Sequence, residues 1–149
     1  MDSKFMPLKD HSAIIDSSYF CSYFNEKDSL FERSNILSKK LEDFNLFTSN
    51  LILMETYTVL AQKAGKGASV NFGKYIRSQQ NIQVLWVSEL IEDDSWEIFK
   101  SIKSKNVSYV DCTTISLAEN EGINYIVSFD EHFRKLSKHF KFKAIDRKG

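Results

Sequence analysis

Short apolar segments alternate with longer amphipathic segments along most of this chain. Strand-like segments lie at residues 13–15, 46–48, 82–87, 123–129 and 140–145. Between them, apolar residues recur at helical spacing, with start and stop signals such as Ser88 and Gly122. Strands that are separated by helices are typical of βαβ units. The expected fold class is therefore α/β, with three layers (α/β/α) around a central parallel sheet.

The length of 149 residues fits one domain, and no internal repeat divides it. We expect residues 1–12 to form a flexible lead-in and residues 13–149 a single domain. The lead-in has no apolar core like that of a signal peptide, and no apolar run approaches the ~18 residues that span a membrane. We therefore expect a cytoplasmic protein with no membrane partner. Cys21 and Cys112 fit a reduced core, and Trp86 and Trp96 are expected to pack.

The charges of the whole chain cancel, because 20 basic side chains face 20 acidic ones. This balance argues against a generally basic coat for nucleic acid, so a polyanion would have to be held locally, by a patch or by bound metal. Residues 130–149 carry a net charge of +4. The common interpretation of such a basic tail is a solvated face.

Two acidic residues follow apolar strands directly. Asp16 ends the segment 13–15, and Asp130 ends the segment 126–129. In a parallel sheet both positions project to the same edge, where ligands bind in open α/β folds. Alternatively, each residue is the N-cap of the following helix. For the first of these helices, Ser17 and Ser18 could provide the cap instead of Asp16.

Two more acids lie where helices are expected to face the core. Glu55 shares a helix face with apolar residues three and four positions away, so it needs a partner, a cation or a route to the rim. Asp111 lies at the start of a helix, where the helix dipole stabilises its negative charge. Because Ser108 can cap that helix, we expect Asp111 to be free for another task.

Four converging carboxylates would repel one another and raise each other's pKa. The simplest compensation is a divalent metal ion. Oxygen ligands without His or Cys favour Mg²⁺ or Mn²⁺ over zinc. Such a site can activate water and neutralise charge on a phosphodiester.

The order and spacing of these motifs resemble those of PIN domains, and most closely the VapC-type toxin ribonucleases. The similar segments are 14–18, Glu55, 109–114 and 126–133, with Ser128 where Thr is more usual. The resemblance implies an α/β/α fold and Mg²⁺- or Mn²⁺-dependent cleavage of RNA. It assigns metal binding and catalysis to Asp16, Glu55, Asp111 and Asp130. Ser17 and Thr114 match polar positions beside the family's site.

The resemblance also implies partners. In VapC-type systems a small antitoxin often covers the site, and the toxin often forms homodimers. A housekeeping RNA-processing nuclease and a catalytically silent PIN-like binding module remain alternatives. A dehalogenase-like phosphatase would need a second Asp at position 18, where this chain has Ser18. His132 lies near Asp130, but an exposed helix position is the expected role for it.

Overall fold

The computed structural model describes residues 11–149. Five strands alternate with seven helices over these residues. In chain order they are β1 (His11–Ile15), α1 (Ser17–Tyr23), α2 (Phe31–Leu41), β2 (Phe44–Ser49), α3 (Asn50–Ala64), α4 (Lys66–Ser78), β3 (Ile82–Leu85), α5 (Glu89–Ser101), α6 (Tyr109–Glu121), β4 (Tyr125–Val127), α7 (His132–Leu136) and β5 (Lys143–Ile145).

The five strands form one sheet in the order β3-β2-β1-β4-β5, and every neighbouring pair is parallel. Strand β1 lies at the centre, where Ile14 is in register with Phe47 of β2 and Ile126 of β4. All carboxyl ends therefore lie at one edge of the sheet. The expected α/β class with a central parallel sheet flanked by helices is confirmed.

The core lies between the central strands and the helices that cover them. Ile14 and Ile126 of the sheet, Ile52 of α3 and Ile115 of α6 are fully buried. Helix α3 packs against α1 and α4, and α5 packs against α6. Burial of one large aliphatic side chain stabilises a fold by about 1.5–3 kcal/mol. The centre of this core thus fixes β1 and β4, and their carboxyl ends carry the acids Asp16 and Asp130.

Some local expectations differ from the structure. Strand β1 begins at His11, so two residues assigned to the lead-in belong to the sheet; the rest of the lead-in lies outside the described residues. Gly65, with a φ of 96°, turns the chain from α3 directly into α4. Gly67 consequently lies within α4.

The packing expected for the two tryptophans is also wrong. Trp86 is 74% exposed and Trp96 is 49% exposed, and both lie in or just before α5. Leu90 and Phe99 of α5 are exposed as well, and the ring of Phe99 stacks with that of Trp96. Cys21 and Cys112 are buried and unpaired, as expected. Within residues 11–149, no helix combines the length and apolarity that a bilayer crossing needs.

Candidate active site

Asp16 follows the central strand β1 at the carboxyl edge of the sheet. It occupies the N-cap position of α1, but its side chain accepts no capping hydrogen bond from the described backbone. Its Oδ2 instead accepts hydrogen bonds from the hydroxyls of Ser18 (2.9 Å) and Ser128 (2.8 Å). Its Oδ1 is buried and has no hydrogen-bond partner among residues 11–149. The capping role is therefore excluded, and one buried carboxylate oxygen is left for a ligand.

The surroundings of Asp16 disfavour its negative charge. Burial raises the pKa of Asp16 to about 7, and the charges of Asp111 and Asp130 add to this effect. The hydrogen bonds from Ser128 and Ser18 act in the opposite direction. A carboxyl with this pKa is only partly ionised at neutral pH. A cation beside Oδ1 would favour full ionisation.

Two serine hydroxyls hold Asp16 against the loop that follows β4. Ser18 Oγ accepts a hydrogen bond from the backbone N–H of Phe129 (2.9 Å), and Ser128 Oγ accepts one from that of Asp130 (3.0 Å). Each hydroxyl has a single proton, which it donates to Asp16 Oδ2. These serines therefore fix both Asp16 and the start of the loop that carries Asp130. The sequence pattern suggested Ser18 as an alternative cap and did not indicate this role.

Glu55 lies in the middle of α3 and is half-buried. Loss of hydration raises the pKa of its carboxyl, and Asp111 and Asp130 act in the same direction. A hydrogen bond from Ser17 Oγ to Glu55 Oε2 opposes the shift. Glu55 forms no salt bridge within the described part of the chain. Pairing with a Lys therefore does not account for its position.

The two polar positions that the resemblance assigned to the site behave differently. The hydroxyl of Ser17 contacts Glu55 at the site. Thr114 is fully buried in α6, and its hydroxyl donates to the carbonyl oxygen of Val110 at 3.0 Å. Thr114 therefore serves the helix backbone, and only Ser17 of this pair holds a carboxylate.

Asp111 lies in the first turn of α6 and is 6% exposed. Ser108 Oγ accepts the N–H of Asp111 (3.1 Å), while Asp111 Oδ2 accepts the N–H of Ser108 (2.9 Å). The expectation that Ser108 frees Asp111 from capping is therefore wrong, because a capping box uses both side chains reciprocally. One oxygen of Asp111 is committed to the helix terminus.

His132 is also placed differently from its expected exposed position. Its side chain is 21% exposed, and Nε2 lies 2.9 Å from Asp111 Oδ2. The contact with Asp111 raises the pKa of the imidazole, although burial opposes the shift. No local pattern reveals this contact, because it joins the starts of α6 and α7 across the fold.

Asp130 lies in the loop between β4 and α7 and is the most exposed of the four acids. Loss of hydration still raises the pKa of its carboxyl, and Asp111 contributes to the rise. The positive charges of His132, Arg147 and Lys63 act in the opposite direction. Asp130 does not cap α7, because Glu131 holds the N-cap position.

The four predicted acids share one electrostatic neighbourhood, since Asp111 and Asp130 raise the pKa of both Asp16 and Glu55. Within residues 11–149, no three His, Cys, Asp or Glu side chains form a ready-made metal-binding group. Serine hydroxyls, the Ser108 N–H and His132 occupy carboxylate oxygens instead. The donor set nevertheless fits a hard divalent cation, because it is rich in oxygen and includes the unpartnered Oδ1 of Asp16.

Comparisons with known proteins agree with this architecture. The PIN domain family model matches residues 13–139. The 23S rRNA-specific endonuclease VapC20 of Mycobacterium tuberculosis is 31% identical over 88 residues, which are 59% of this chain and 66% of that protein. The chain thus matches just under two thirds of the length of this curated relative.

Solved structures extend the similarity over most of the fold. The crystal structure of Mycobacterium tuberculosis VapC20, a sarcin-ricin loop cleaving toxin, matches with a TM-score of 0.78 at 26% identity, covering 87% of this chain and 96% of that one. FitAcB from Neisseria gonorrhoeae matches with a TM-score of 0.65 at 12% identity, covering 91% and 97%. The second match, at low identity, concerns the fold alone.

Proposed function

This chain belongs to the PIN domain family, and on that premise we propose that it is a metal-dependent endoribonuclease, the toxin of a toxin–antitoxin pair. The observation that carries the proposal is the buried carboxylate of Asp16, whose Oδ1 has no partner among the described residues. Burial of a negative charge beside two further acids is energetically unfavourable when no counter-charge pairs with it. A divalent cation supplies that counter-charge.

We assign metal binding to Asp16, Glu55, Asp111 and Asp130. The first two have oxygens directed by serine hydroxyls, so Ser17, Ser18 and Ser128 are positioning residues. Their hydrogen bonds hold the carboxylates in place and favour their charged forms.

Mg²⁺ or Mn²⁺ bound at this site would lower the pKa of a water molecule that it coordinates and would partly neutralise the charge of the phosphate. This chain contributes the orientation of the acids. A cation beside Oδ1 would keep the carboxylate of Asp16 ionised, so this residue would act as a metal ligand. Its buried setting at the end of β1 also keeps bulk water from most of the carboxylate.

We propose RNA as the substrate, and ribosomal RNA as the first substrate to test. The support is the relative VapC20, which is named for its action on 23S rRNA. An RNA phosphodiester also suits a site whose acids hold a divalent ion, because the ion offsets their repulsion of the polyanion. A cytoplasmic location follows from this substrate as part of the same proposal.

Metal dependence is the direct test of this function. We expect the wild-type protein to cleave total ribosomal RNA in Mg²⁺ or Mn²⁺, to lose cleavage in EDTA and to regain it when Mn²⁺ is added in excess. Asp111→Asn should be inactive yet folded, because its amide oxygen can still accept the Ser108 N–H. Isothermal titration should detect Mn²⁺ binding by the wild-type protein and weakened binding by Asp111→Asn.

Asp93→Asn serves as the control, because Asp93 is an exposed acid on α5 and lies outside the site. Its cleavage and Mn²⁺ binding should match those of the wild type. Absence of both Mn²⁺ binding and cleavage in the wild type would reject the nuclease and favour a catalytically silent PIN-like module.

We propose a small antitoxin and a second copy of this chain as protein partners. The exposed, stacked rings of Trp96 and Phe99 on α5 support self-association, because exposed apolar patches mark interaction sites. Light scattering should give twice the mass of one chain. Trp96→Glu should shift the mass towards the monomer, whereas Met54→Glu, at an exposed position of α3, should not. A monomeric wild type would contradict the dimer and leave the nuclease untouched.

A further inference from the structure

A cleft of about 520 Å³ opens beside Asp130. It lies between α7, the segment before α6 and the residues that follow β5. Asp130 and His132 line this cleft and also belong to the acidic site. A strand bound across the acids would therefore continue into it. The other polar side chains that line the cleft are Ser104, Asn106, Glu131, Lys135 and Arg147.

Arg147 is held against the wall of the cleft by the protein backbone. Its Nη2 donates a hydrogen bond to the carbonyl oxygen of Phe129 at 3.1 Å. This contact places the guanidinium close to Asp130, the residue after Phe129. Loss of hydration raises the pKa of the Asp130 carboxyl, and the positive charge of Arg147 opposes that rise. A guanidinium has five N–H donors in a planar fork that matches phosphate oxygens. Most of these donors stay available after the contact with Phe129.

Lys135 and Arg147 are not committed to ion pairs within the described protein. Neither side chain forms a salt bridge with any residue from 11 to 149. The neighbouring acid Asp146 is committed elsewhere, because its Oδ2 lies 2.5 Å from Arg134 Nε and its Oδ1 accepts the N–H of Lys148 at 2.9 Å. The acids Asp130 and Glu131 also line the cleft, but neither forms a salt bridge with Lys135 or Arg147 in residues 11–149. The ammonium and guanidinium groups are therefore open to contact with an external anion.

The cleft gives the basic stretch 130–149 a role other than a solvated face. The chain has no net charge, and the acidic site by itself repels RNA. A substrate strand consequently needs cations next to the acids, where they compensate the repulsion at the point of binding. Lys135 and Arg147 meet this need within the cleft that Asp130 borders.

We propose that this cleft is a phosphate-binding subsite, in which Arg147 and Lys135 hold the RNA phosphate adjacent to the one that is cleaved. This inference rests on the proposed nuclease function, since it concerns the same substrate strand. Arg147 supplies the directional donors, and Lys135 supplies a point charge from α7. The residues contribute to RNA affinity and register, while the acids perform the chemistry.

The test is the double substitution Arg147→Gln/Lys135→Gln in the full-length chain, compared with Lys143→Gln. Lys143 is an exposed residue of the same basic stretch. It begins β5, so it lies where the amino ends of the strands meet, away from the carboxyl ends that carry the acids. We expect KM for cleavage of a single-stranded RNA to rise at least tenfold in the double variant, with kcat within twofold of the wild type. Lys143→Gln should leave both constants within twofold.

RNA binding without chemistry gives a second readout. Fluorescence anisotropy with a labelled single-stranded RNA in EDTA should show at least tenfold weaker binding by the double variant. The slope of log K against log salt should become shallower by about 0.7, the value for one lost phosphate contact on a single strand. Arg147→Lys should recover part of the affinity, because it restores the charge but not the fork.

The outcomes separate this subsite from the nuclease proposal. If the wild type cleaves RNA and the double variant has the KM, affinity and salt slope of Lys143→Gln, the subsite is wrong and the nuclease stands. If the wild type binds RNA but never cleaves it, while the double variant binds at least tenfold more weakly, the phosphate contact stands and the nuclease is wrong.

Discussion

Replacing Asp16 with Asn is expected to lower the rate of metal-dependent RNA cleavage by about 10³-fold or more. The substitution removes the negative charge that would hold the metal ion at the buried edge of β1. A catalytic metal ion contributes several kcal/mol to transition-state stabilisation, and each ~1.4 kcal/mol corresponds to a tenfold change in rate. Initial rates on ribosomal RNA, measured across Mn²⁺ concentrations, provide the measurement.

The variant should keep its fold, which makes the loss of activity interpretable. The amide oxygen of Asn can still accept the hydrogen bonds from Ser18 and Ser128. Circular dichroism should therefore match that of the wild type, and Asp93→Asn should retain full activity as the charge control. Cleavage by Asp16→Asn within tenfold of the wild-type rate would refute the assignment of this residue.

The positions of two of the four acids could be predicted from sequence because they depend on the order of strands and helices in the chain. Asp16 and Asp130 each follow a strand, and in a parallel sheet the ends of strands share one edge. The sheet order puts β1 next to β4, so these two residues become neighbours through the topology. Alternation of strands and helices, which local hydrophobic patterns reveal, was thus enough to place Asp16 and Asp130 at one edge of the sheet.

The bonding of the acids could not be predicted in the same way. Whether Asp111 caps α6 depends on a side-chain rotamer, and both a free acid and a capping box are compatible with Ser108 at the preceding turn. The contact between His132 and Asp111 depends on how α7 packs beside α6, which no short-range pattern encodes. Local sequence therefore predicted where the carboxylates lie, and tertiary packing decides what each oxygen contacts.

The metal-free protein is expected to lose stability as the pH rises from about 4 to about 8. In the folded state the pKa of Asp16 is raised from 3.8 to about 7, so the folded protein binds more protons than the unfolded chain across this range. Stability falls with pH wherever that inequality holds. The raised pKa values of Glu55, Asp130 and His132 give slopes of the same sign.

Asp16→Asn should remove the largest of these contributions and make the metal-free protein more stable than the wild type at pH 8, by as much as roughly 4 kcal/mol. At pH 4 the two proteins should differ far less, because Asp16 is then protonated in the fold.

Urea unfolding in EDTA at several pH values measures the difference, with Asp93→Asn expected to follow the wild-type curve. Excess Mn²⁺ should stabilise the wild type above the variant, since only the wild type has the full set of acids. If the free energies of unfolding of wild type and Asp16→Asn change in parallel between pH 4 and 8, the pKa of Asp16 is not raised in the folded protein. The argument for a cation beside its Oδ1 would then fail.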